Sequence, residues 1–109
     1  MKLVKAVVRE DKINDVLEAL VAAGFTGATV YRDAGGMGGE SGVVKIRGRS
    51  YEALLPRAVI EVVVADEEVD KLIAVIMSSA RTGRLGDGRI FVLPVLDALR
   101  IRNGERLTK

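Results

Sequence analysis

The stretch Thr82–Arg89 has the composition of a loop that binds phosphate. It holds three glycines and is accompanied by three arginines at Arg81, Arg84 and Arg89. Glycine lets the backbone adopt positive φ and leaves N–H groups uncovered, so these groups and nearby guanidiniums are able to bind an anion. The strand-like segment that follows excludes the dinucleotide-binding fingerprint and the Walker loop, since both need a helix there. The alternative is a glycine-rich hairpin connection through the Asp-Gly pair.

A second basic motif lies near the C-terminus, where Arg100 and Arg102 are separated by one residue. In an extended segment both guanidiniums would point the same way and form a fork for the oxygens of a di- or triphosphate. The alternative is a polar edge strand, a common protection against aggregation.

The composition narrows the function further. A chain of 109 residues is long enough for one domain, which we expect to cover 1–109. It contains neither histidine, the commonest general base and metal ligand, nor cysteine, so thiol chemistry is excluded. No apolar run is long enough to cross a membrane, and we expect a cytoplasmic protein that is not an enzyme. The alternative is an enzyme that uses the carboxylates of Asp87 and Glu61 for catalysis. Residues 81–109 carry seven Lys or Arg against three Asp or Glu, which favours a small phosphorylated ligand over nucleic acid.

The chain repeats its own hydrophobic pattern after 56 positions, and each half reads as a strand followed by an amphipathic helix. The first helix carries its apolar stripe from Ile13 to Val21, with Asp11 as the expected N-cap and Gly24 as the stop. The second carries its stripe from Val69 to Met77, with Asp66 as the expected N-cap.

A further strand is expected after each helix, at 26–33 and 89–94. Two strand-helix-strand units predict an α+β fold of the ferredoxin-like, double βαβ type, with a four-stranded antiparallel sheet and both helices on one face. The strands at 4–8 and 59–64 are apolar at nearly every position, which predicts that both sheet faces are buried. Because no further helix is available, we expect another copy of the chain to cover the second face.

The two halves are joined by a long connection, about 35–56, that begins with five glycines in eight residues. Connections of this length are typically functional or disordered. Its later part, 43–51, alternates apolar and basic residues and predicts a protruding hairpin or a segment captured by a partner surface; a solvated linker is the alternative.

Together these segments resemble the PII signal-transduction family, the nitrogen regulatory proteins. The resemblance covers essentially the whole chain, and its most specific part is Thr82-Gly83-x-x-Gly86-Asp87-Gly88-Arg89-Ile90-Phe91-Val92, followed by Arg100-Ile101-Arg102-x-Gly104-Glu105. It implies a homotrimer that binds adenine nucleotide in the clefts between subunits.

The resemblance also implies roles for individual residues. A nucleotide would be bound by Thr29, Gly35, Gly38, Val64, Gly86, Asp87, Gly88, Arg89, Arg100 and Arg102. Arg89 replaces the family's usual lysine, which keeps the charge but turns a point contact into a fork. Gly39 and Arg57 match positions that bind a small anionic effector, and Tyr51 matches a tyrosine that some members carry as a modification target.

At the base of the long connection, the sequence departs from the resemblance. The family typically has Gly-Arg-Gln there, whereas this chain has Met37 or Gly38 and then Gly39. Loss of polar side chains argues against 2-oxoglutarate sensing in the usual form and leaves a smaller anion such as bicarbonate as an alternative.

The function implied is non-catalytic regulation. ADP, ATP or AMP, with Mg²⁺ accompanying ATP, would control a partner protein through the connection 35–56, and the C-terminal segment 95–109 would complete the site. The partner would be a membrane transporter or a metabolic enzyme in nitrogen or related metabolism, and the protein itself would not insert into the membrane. A scaffold that has lost its ligand is the remaining alternative.

Overall fold

A computed structural model describes residues 1–37, 43–52 and 54–107. The described residues form six strands and two α-helices. In chain order these are β1 (Lys2–Arg9), α1 (Ile13–Ala22), β2 (Thr29–Gly36), β3 (Val43–Ile46), β4 (Arg49–Glu52), β5 (Leu55–Val64), α2 (Val69–Ala80) and β6 (Gly88–Pro94).

The four long strands form one antiparallel sheet in the order β2-β5-β1-β6. This order is that of the ferredoxin-like double βαβ fold, and the prediction of the fold class is confirmed. The strand after α1 was predicted three residues too early, because Phe25 is drawn into the core and residues 26–28 leave the sheet. That strand continues to Gly36 past a bulge at Asp33, which has a φ of 59°.

The core lies between the helices and one face of the sheet. Alternate side chains of β1 and β5 point to this face, while both helices contribute their predicted apolar stripes. The buried residues from these elements are Val4, Ala6, Val8, Ala58, Ile60, Val62, Ile13, Val16, Leu20, Leu72, Ile76 and Ala80.

The predicted N-caps of both helices are wrong. A 3₁₀ turn precedes each helix, at Glu10–Lys12 and Asp66–Glu68, so that neither predicted aspartate occupies the N-cap position and neither makes a capping hydrogen bond. The carboxylate of Asp66 instead accepts a hydrogen bond from the Met1 ammonium at 2.8 Å and lies 3.3 Å from the Lys2 ammonium. Gly24 does end α1, with a φ of 93°.

Within the long connection, β3 and β4 pair as an antiparallel hairpin. Its two-residue turn, Arg47-Gly48, has positive φ at both positions, as a type I′ turn requires. The prediction of a hairpin at 43–51 is therefore confirmed. Strand β2 includes Gly35 and Gly36, and β5 begins at Leu55, so the part between the sheet strands is 37–54.

The other face of the sheet carries large apolar side chains that no described residue of the chain covers. Phe91 and Val63 are 47% and 49% exposed, and Leu93 and Tyr31 are similarly open. The charged residues Lys5 and Glu61 are paired positions in the middle of this face. An apolar area of this kind is typical of an interface.

Candidate functional site

The glycine-rich loop connects α2 to β6. Because β6 pairs with β1 and not with the preceding strand, the alternative of a hairpin connection is wrong. The three glycines have positive φ, of 84° at Gly83, 90° at Gly86 and 108° at Gly88, as predicted. At Gly88 a side chain is also excluded by contact, since a Cβ would lie 1.8 Å from the carbonyl oxygen of Val7.

The loop is held from within by the carboxylate of Asp87. The backbone N–H groups of Thr82 and Gly83 each donate to its Oδ2 at 2.9 Å, and the Thr82 hydroxyl donates to Oδ1. The Arg9 Nε donates to Oδ1 at 3.0 Å, and Arg9 Nη2 donates to the Leu85 carbonyl at 2.7 Å. Asp87 thus joins the two ends of the loop to the end of β1.

These contacts hold the pKa of Asp87 far below its ordinary value of 3.8. The largest cause is the hydrogen bond from the Thr82 hydroxyl; backbone and Arg9 donors add to it, while partial desolvation opposes it. A carboxylate that remains ionised and accepts four hydrogen bonds is unsuited to general acid or base chemistry. Glu61 lies in mid-sheet, four residues along β5 from Arg57, so the two acids of the enzyme alternative do not form a pair.

Two consecutive N–H groups of the loop remain available. Among the described residues, none accepts a hydrogen bond from the backbone N–H of Leu85 or Gly86, whereas the N–H of Asp87 closes a turn that begins at Arg84. Adjacent N–H groups without a protein partner, lying beside arginines, form an arrangement that can bind an anion.

Two guanidiniums border this run. A Cβ on Gly86 would lie 3.2 Å from Arg57 Nη2 and 3.5 Å from Arg9 Nη2, which places both cations against the turn. Arg9 is paired with Asp87. Among the described residues, none provides a carboxylate for Arg57, and the Pro56 carbonyl accepts a hydrogen bond from its Nη1. Arg89 follows on the same uncovered face of the sheet, paired in register with Val7.

Arg57 also contacts the end of β2. A Cβ on Gly36 would lie 2.8 Å from Arg57 Cγ, and a Cβ on Gly35 would lie 2.8 Å from Leu54 Cδ1. The base of the long connection and the glycine loop are therefore linked through one side chain, that of Arg57.

The remaining predicted residues lie elsewhere. Val64 is half-buried and lines a cavity of about 370 Å³ together with residues 24–27 and Glu68. Thr29 pairs with Glu61 near the beginning of β2 and is exposed.

Arg100 and Arg102 follow β6, which ends where Pro94 pairs with Lys2. The expected extended fork is wrong, because 101–103 form a turn in which the N–H of Gly104 donates to the Arg100 carbonyl at 2.7 Å. Asn103 and Gly104 cause this turn: the Asn103 side chain accepts a hydrogen bond from the Glu105 N–H, and Gly104 has a φ of 71°.

The predicted nucleotide residues thus form two groups at opposite ends of one sheet. One end of the sheet contains Gly35 and residues 86–89 next to Arg57, where phosphates are expected. The other end contains Val64, and there the chain leaves β6 towards the turn that carries Arg100 and Arg102. Arg57 and Val64 are seven positions apart along an extended strand, a distance of roughly 23 Å. A single protomer therefore does not bring the two groups together.

Three predicted residues are described incompletely or not at all. Gly38 and Gly39 lie outside the described residues. Tyr51 lies in β4, in register with Val44.

Arg9 was missed as a member of the site, and Thr82, although part of the predicted loop, was given no role of its own. Nothing in the local sequence marks Arg9, because its role depends on the register that sets the end of β1 beside the glycine loop. In the described parts of the chain, no group of three acidic, histidine or cysteine side chains is arranged to hold a metal ion. None of the helices described is long and apolar enough to span a membrane.

Comparison with known proteins identifies the family to which the chain belongs. The family described as nitrogen regulatory protein P-II matches residues 1–105. The P-II 2 protein of Methanothermobacter thermautotrophicus is 45% identical over 96% of this chain and 92% of its own length. The P-II protein of Pasteurella multocida is 43% identical over 96% and 95%. The nifHD region GlnB-like protein 1 of Methanothermococcus thermolithotrophicus is 40% identical over 96% and 97%. The chain therefore belongs to the nitrogen regulatory protein P-II family, whose members are regulators in nitrogen signalling.

Proposed function

We propose that this protein regulates a partner protein by binding an adenine nucleotide between neighbouring copies of the chain. The observation that carries the proposal is the glycine loop, which is fixed by Asp87 and yet leaves the N–H groups of Leu85 and Gly86 without a partner among the described residues, beside Arg57. Such a loop suits the phosphates of ADP, ATP or AMP.

The position of the two residue groups supports a site shared between copies. The phosphates would lie on the glycine loop of one copy, with Gly35, Gly38 and Arg89. The adenine and the remaining phosphate charge would meet Thr29, Val64, Arg100 and Arg102 of the next. Three copies arranged in a ring would complete three equivalent sites and would cover the apolar sheet face around Phe91 and Val63.

Asp87 is engaged by internal donors and Glu61 lies apart from it in the middle of β5, so these two acids do not supply a catalytic pair, and membership of a family of regulators supports regulation without chemical turnover. Mg²⁺ accompanying ATP would be held chiefly by phosphate oxygens and water, since Asp87 is already occupied by internal donors.

Arg57 offers a physical route from the nucleotide to the partner. It lies against Gly86 of the glycine loop and against Gly36 at the base of the connection 37–54. ADP and ATP would bias this connection only if they contact it differently, because a ligand with equal affinity for two states shifts nothing. The connection would then bind a membrane transporter or a metabolic enzyme in the cytoplasm, with modification of Tyr51 as an added control.

A second proposal is that a small anion modulates this response. Arg57 has no carboxylate partner among the described residues and adjoins the free Gly86 N–H. With Gly39 in place of a polar residue, we favour a compact anion such as bicarbonate over 2-oxoglutarate in its usual form. Nucleotide affinity measured with each anion would decide between them.

The nucleotide proposal is tested by calorimetric titration with ADP, ATP and AMP. We expect Arg102→Ala to weaken ADP binding by about 10- to 100-fold, because a charged hydrogen bond contributes about 1.5–3 kcal/mol. Arg106→Ala is the matched control: it removes the same charge from the same segment, where Arg106 pairs with Asp97. The proposal fails if no adenylate gives heat or thermal stabilisation, or if both variants bind ADP like the original chain.

A further inference from the structure

Gly36, the last residue of β2, lies against the side chain of Arg57. A Cβ on Gly36 would lie 2.8 Å from Arg57 Cγ, 3.3 Å from Nε and 3.6 Å from Cδ. Carbon atoms pack at about 3.5–4.0 Å, so any side chain at this position would displace Arg57. Gly36 is not among the residues with positive φ, and its backbone would therefore accept alanine. The contact with Arg57, and not the backbone conformation, requires a glycine here.

The space above Gly36 lets Arg57 extend from β5 to the glycine loop. Its Nη1 donates to the Pro56 carbonyl at 3.2 Å, and its Nη2 lies 3.2 Å from the position of a Cβ on Gly86. The backbone N–H groups of Leu85 and Gly86 have no partner among the described residues. An oxyanion that accepts hydrogen bonds from these N–H groups would therefore also lie within reach of the Arg57 guanidinium.

This position of Arg57 is unfavourable while no anion is bound. Arg9 and Arg57 are paired positions of β1 and β5, and both guanidiniums lie against Gly86. Like charges at paired positions destabilise a sheet. The Asp87 carboxylate pairs with Arg9 alone, so two cations and one carboxylate leave one positive charge in excess. A bound anion would neutralise it.

We infer that Gly36 is a positioning residue for Arg57: the missing side chain lets this arginine cross the end of β2 and supply its guanidinium to an oxyanion on the glycine loop. This inference rests on the proposed function and adds a residue that determines affinity without touching the ligand. The oxyanion is a phosphate group of the nucleotide or a free compact anion, because both would use the same donors. A side chain at position 36 would weaken the binding of either one and would relieve the repulsion between Arg9 and Arg57.

The test is a double-mutant cycle of Gly36→Ala and Arg57→Ala. Titration calorimetry measures the affinity for ADP and, separately, for inorganic phosphate. We expect each single variant to weaken ADP binding roughly tenfold, because each one removes a charged hydrogen bond to the anion. In the Arg57→Ala background, Gly36→Ala should cause no further loss, because the side chain that it displaces is already absent.

Stability and charge provide the controls. Without ligand, Gly36→Ala should melt no lower than the original chain, because alanine is favoured over glycine in a strand and the displaced Arg57 moves away from Arg9. Arg32→Ala removes the same charge as Arg57→Ala from an exposed position of β2 and should bind ADP like the original chain.

The inference is overturned if Gly36→Ala binds both ADP and phosphate like the original chain, or if its loss of affinity persists in the Arg57→Ala background. A Gly36→Ala protein that melts clearly below the original chain would also overturn it, because the loss of affinity would then come from a damaged sheet. If the cycle appears with inorganic phosphate while ADP does not bind, the inference holds for a free anion and the nucleotide proposal fails. If ADP binds without any dependence on Gly36, the inference alone fails, and an original chain that binds neither would overturn both.

Discussion

The two helix-to-strand connections, 23–28 and 81–87, occupy equivalent places in the repeat but are held by different interactions. In the first, the Gly24 N–H donates to the Val21 carbonyl at 3.0 Å and the Phe25 N–H donates to the Leu20 carbonyl at 2.8 Å. This pattern is a Schellman motif, and it places Phe25 in the core. The apolar anchor therefore comes with a helix end at which the N–H groups of Gly24 and Phe25 are satisfied locally.

The second connection has a charged anchor in place of an apolar one. The Asp87 carboxylate accepts hydrogen bonds from Thr82, Gly83 and Arg9, and the N–H groups of Leu85 and Gly86 have no partner among the described residues. The same strand-helix-strand unit thus has a purely structural helix-to-strand connection in the first half of the chain and a candidate ligand-binding loop in the second. The difference arises from the residues that anchor each connection.

The largest effect is expected from Gly88→Ala, which would break the second connection where it enters β6. Its Cβ would collide with the Val7 backbone, and alanine would be strained at a φ of 108°. We expect a loss of roughly 4 kcal/mol or more in the free energy of unfolding, or no soluble protein. Gly27→Ala in the first connection is the control, because a Cβ there meets nothing within 4 Å. Urea denaturation checks both, and similar midpoints for the two variants would contradict the close contact at Gly88.

Phe25→Ala would break the anchor of the first connection. We expect it to lower the free energy of unfolding by about 3 kcal/mol, because it removes a buried aromatic side chain and leaves a cavity. It also removes the contact of the Lys71 ammonium, 5.2 Å from the ring centroid. The loss should be similar at neutral and acid pH, since among the described residues no carboxylate accepts a hydrogen bond from residues 23–28. A loss that disappears in acid would contradict an apolar anchor.

The repeat was predictable because helix stripes and strand patterns depend on local periodicity. Sequence reasoning failed where a tertiary contact competes with a local preference. Asp66 was expected to cap a helix, but its carboxylate is used by Met1 and Lys2 across the sheet. The arginine pair was expected to be extended, but the Asn103-Gly104 turn follows too closely.

The candidate site was predictable in part for the same reason. Glycine spacing indicated the positive φ values of the loop, which depend on residue type. The link from Gly36 through Arg57 to Gly86, and the part played by Arg9, depend on the register of β1, β5 and β6. Register follows from the whole pattern of the sheet, so no local motif reveals these contacts.

Of the three substitutions, Asp87→Asn is expected to lower stability least, and its effect should depend on pH. The folded pKa of Asp87 is depressed, so its stabilisation is complete above the ordinary pKa of 3.8 and is lost as pH falls below that value towards the folded pKa. At neutral pH we expect the variant to melt roughly 5 °C below the original chain. Asparagine lacks the charge that Arg9 and the backbone N–H donors favour.

The difference between the two melting temperatures should narrow below about pH 4, because only the original chain has this stabilisation to lose. Calorimetric scans from neutral to acid pH measure it. Asp66→Asn provides a matched control: its pKa is also lowered, chiefly by hydrogen bonds from the Met1 ammonium and Lys2, but its side chain is 59% exposed. Exposed pairs contribute little, so Asp66→Asn should melt close to the original chain at neutral pH. If Asp87→Asn behaves in the same way, the carboxylate does not hold the loop, and the contrast between a charged and an apolar anchor is wrong.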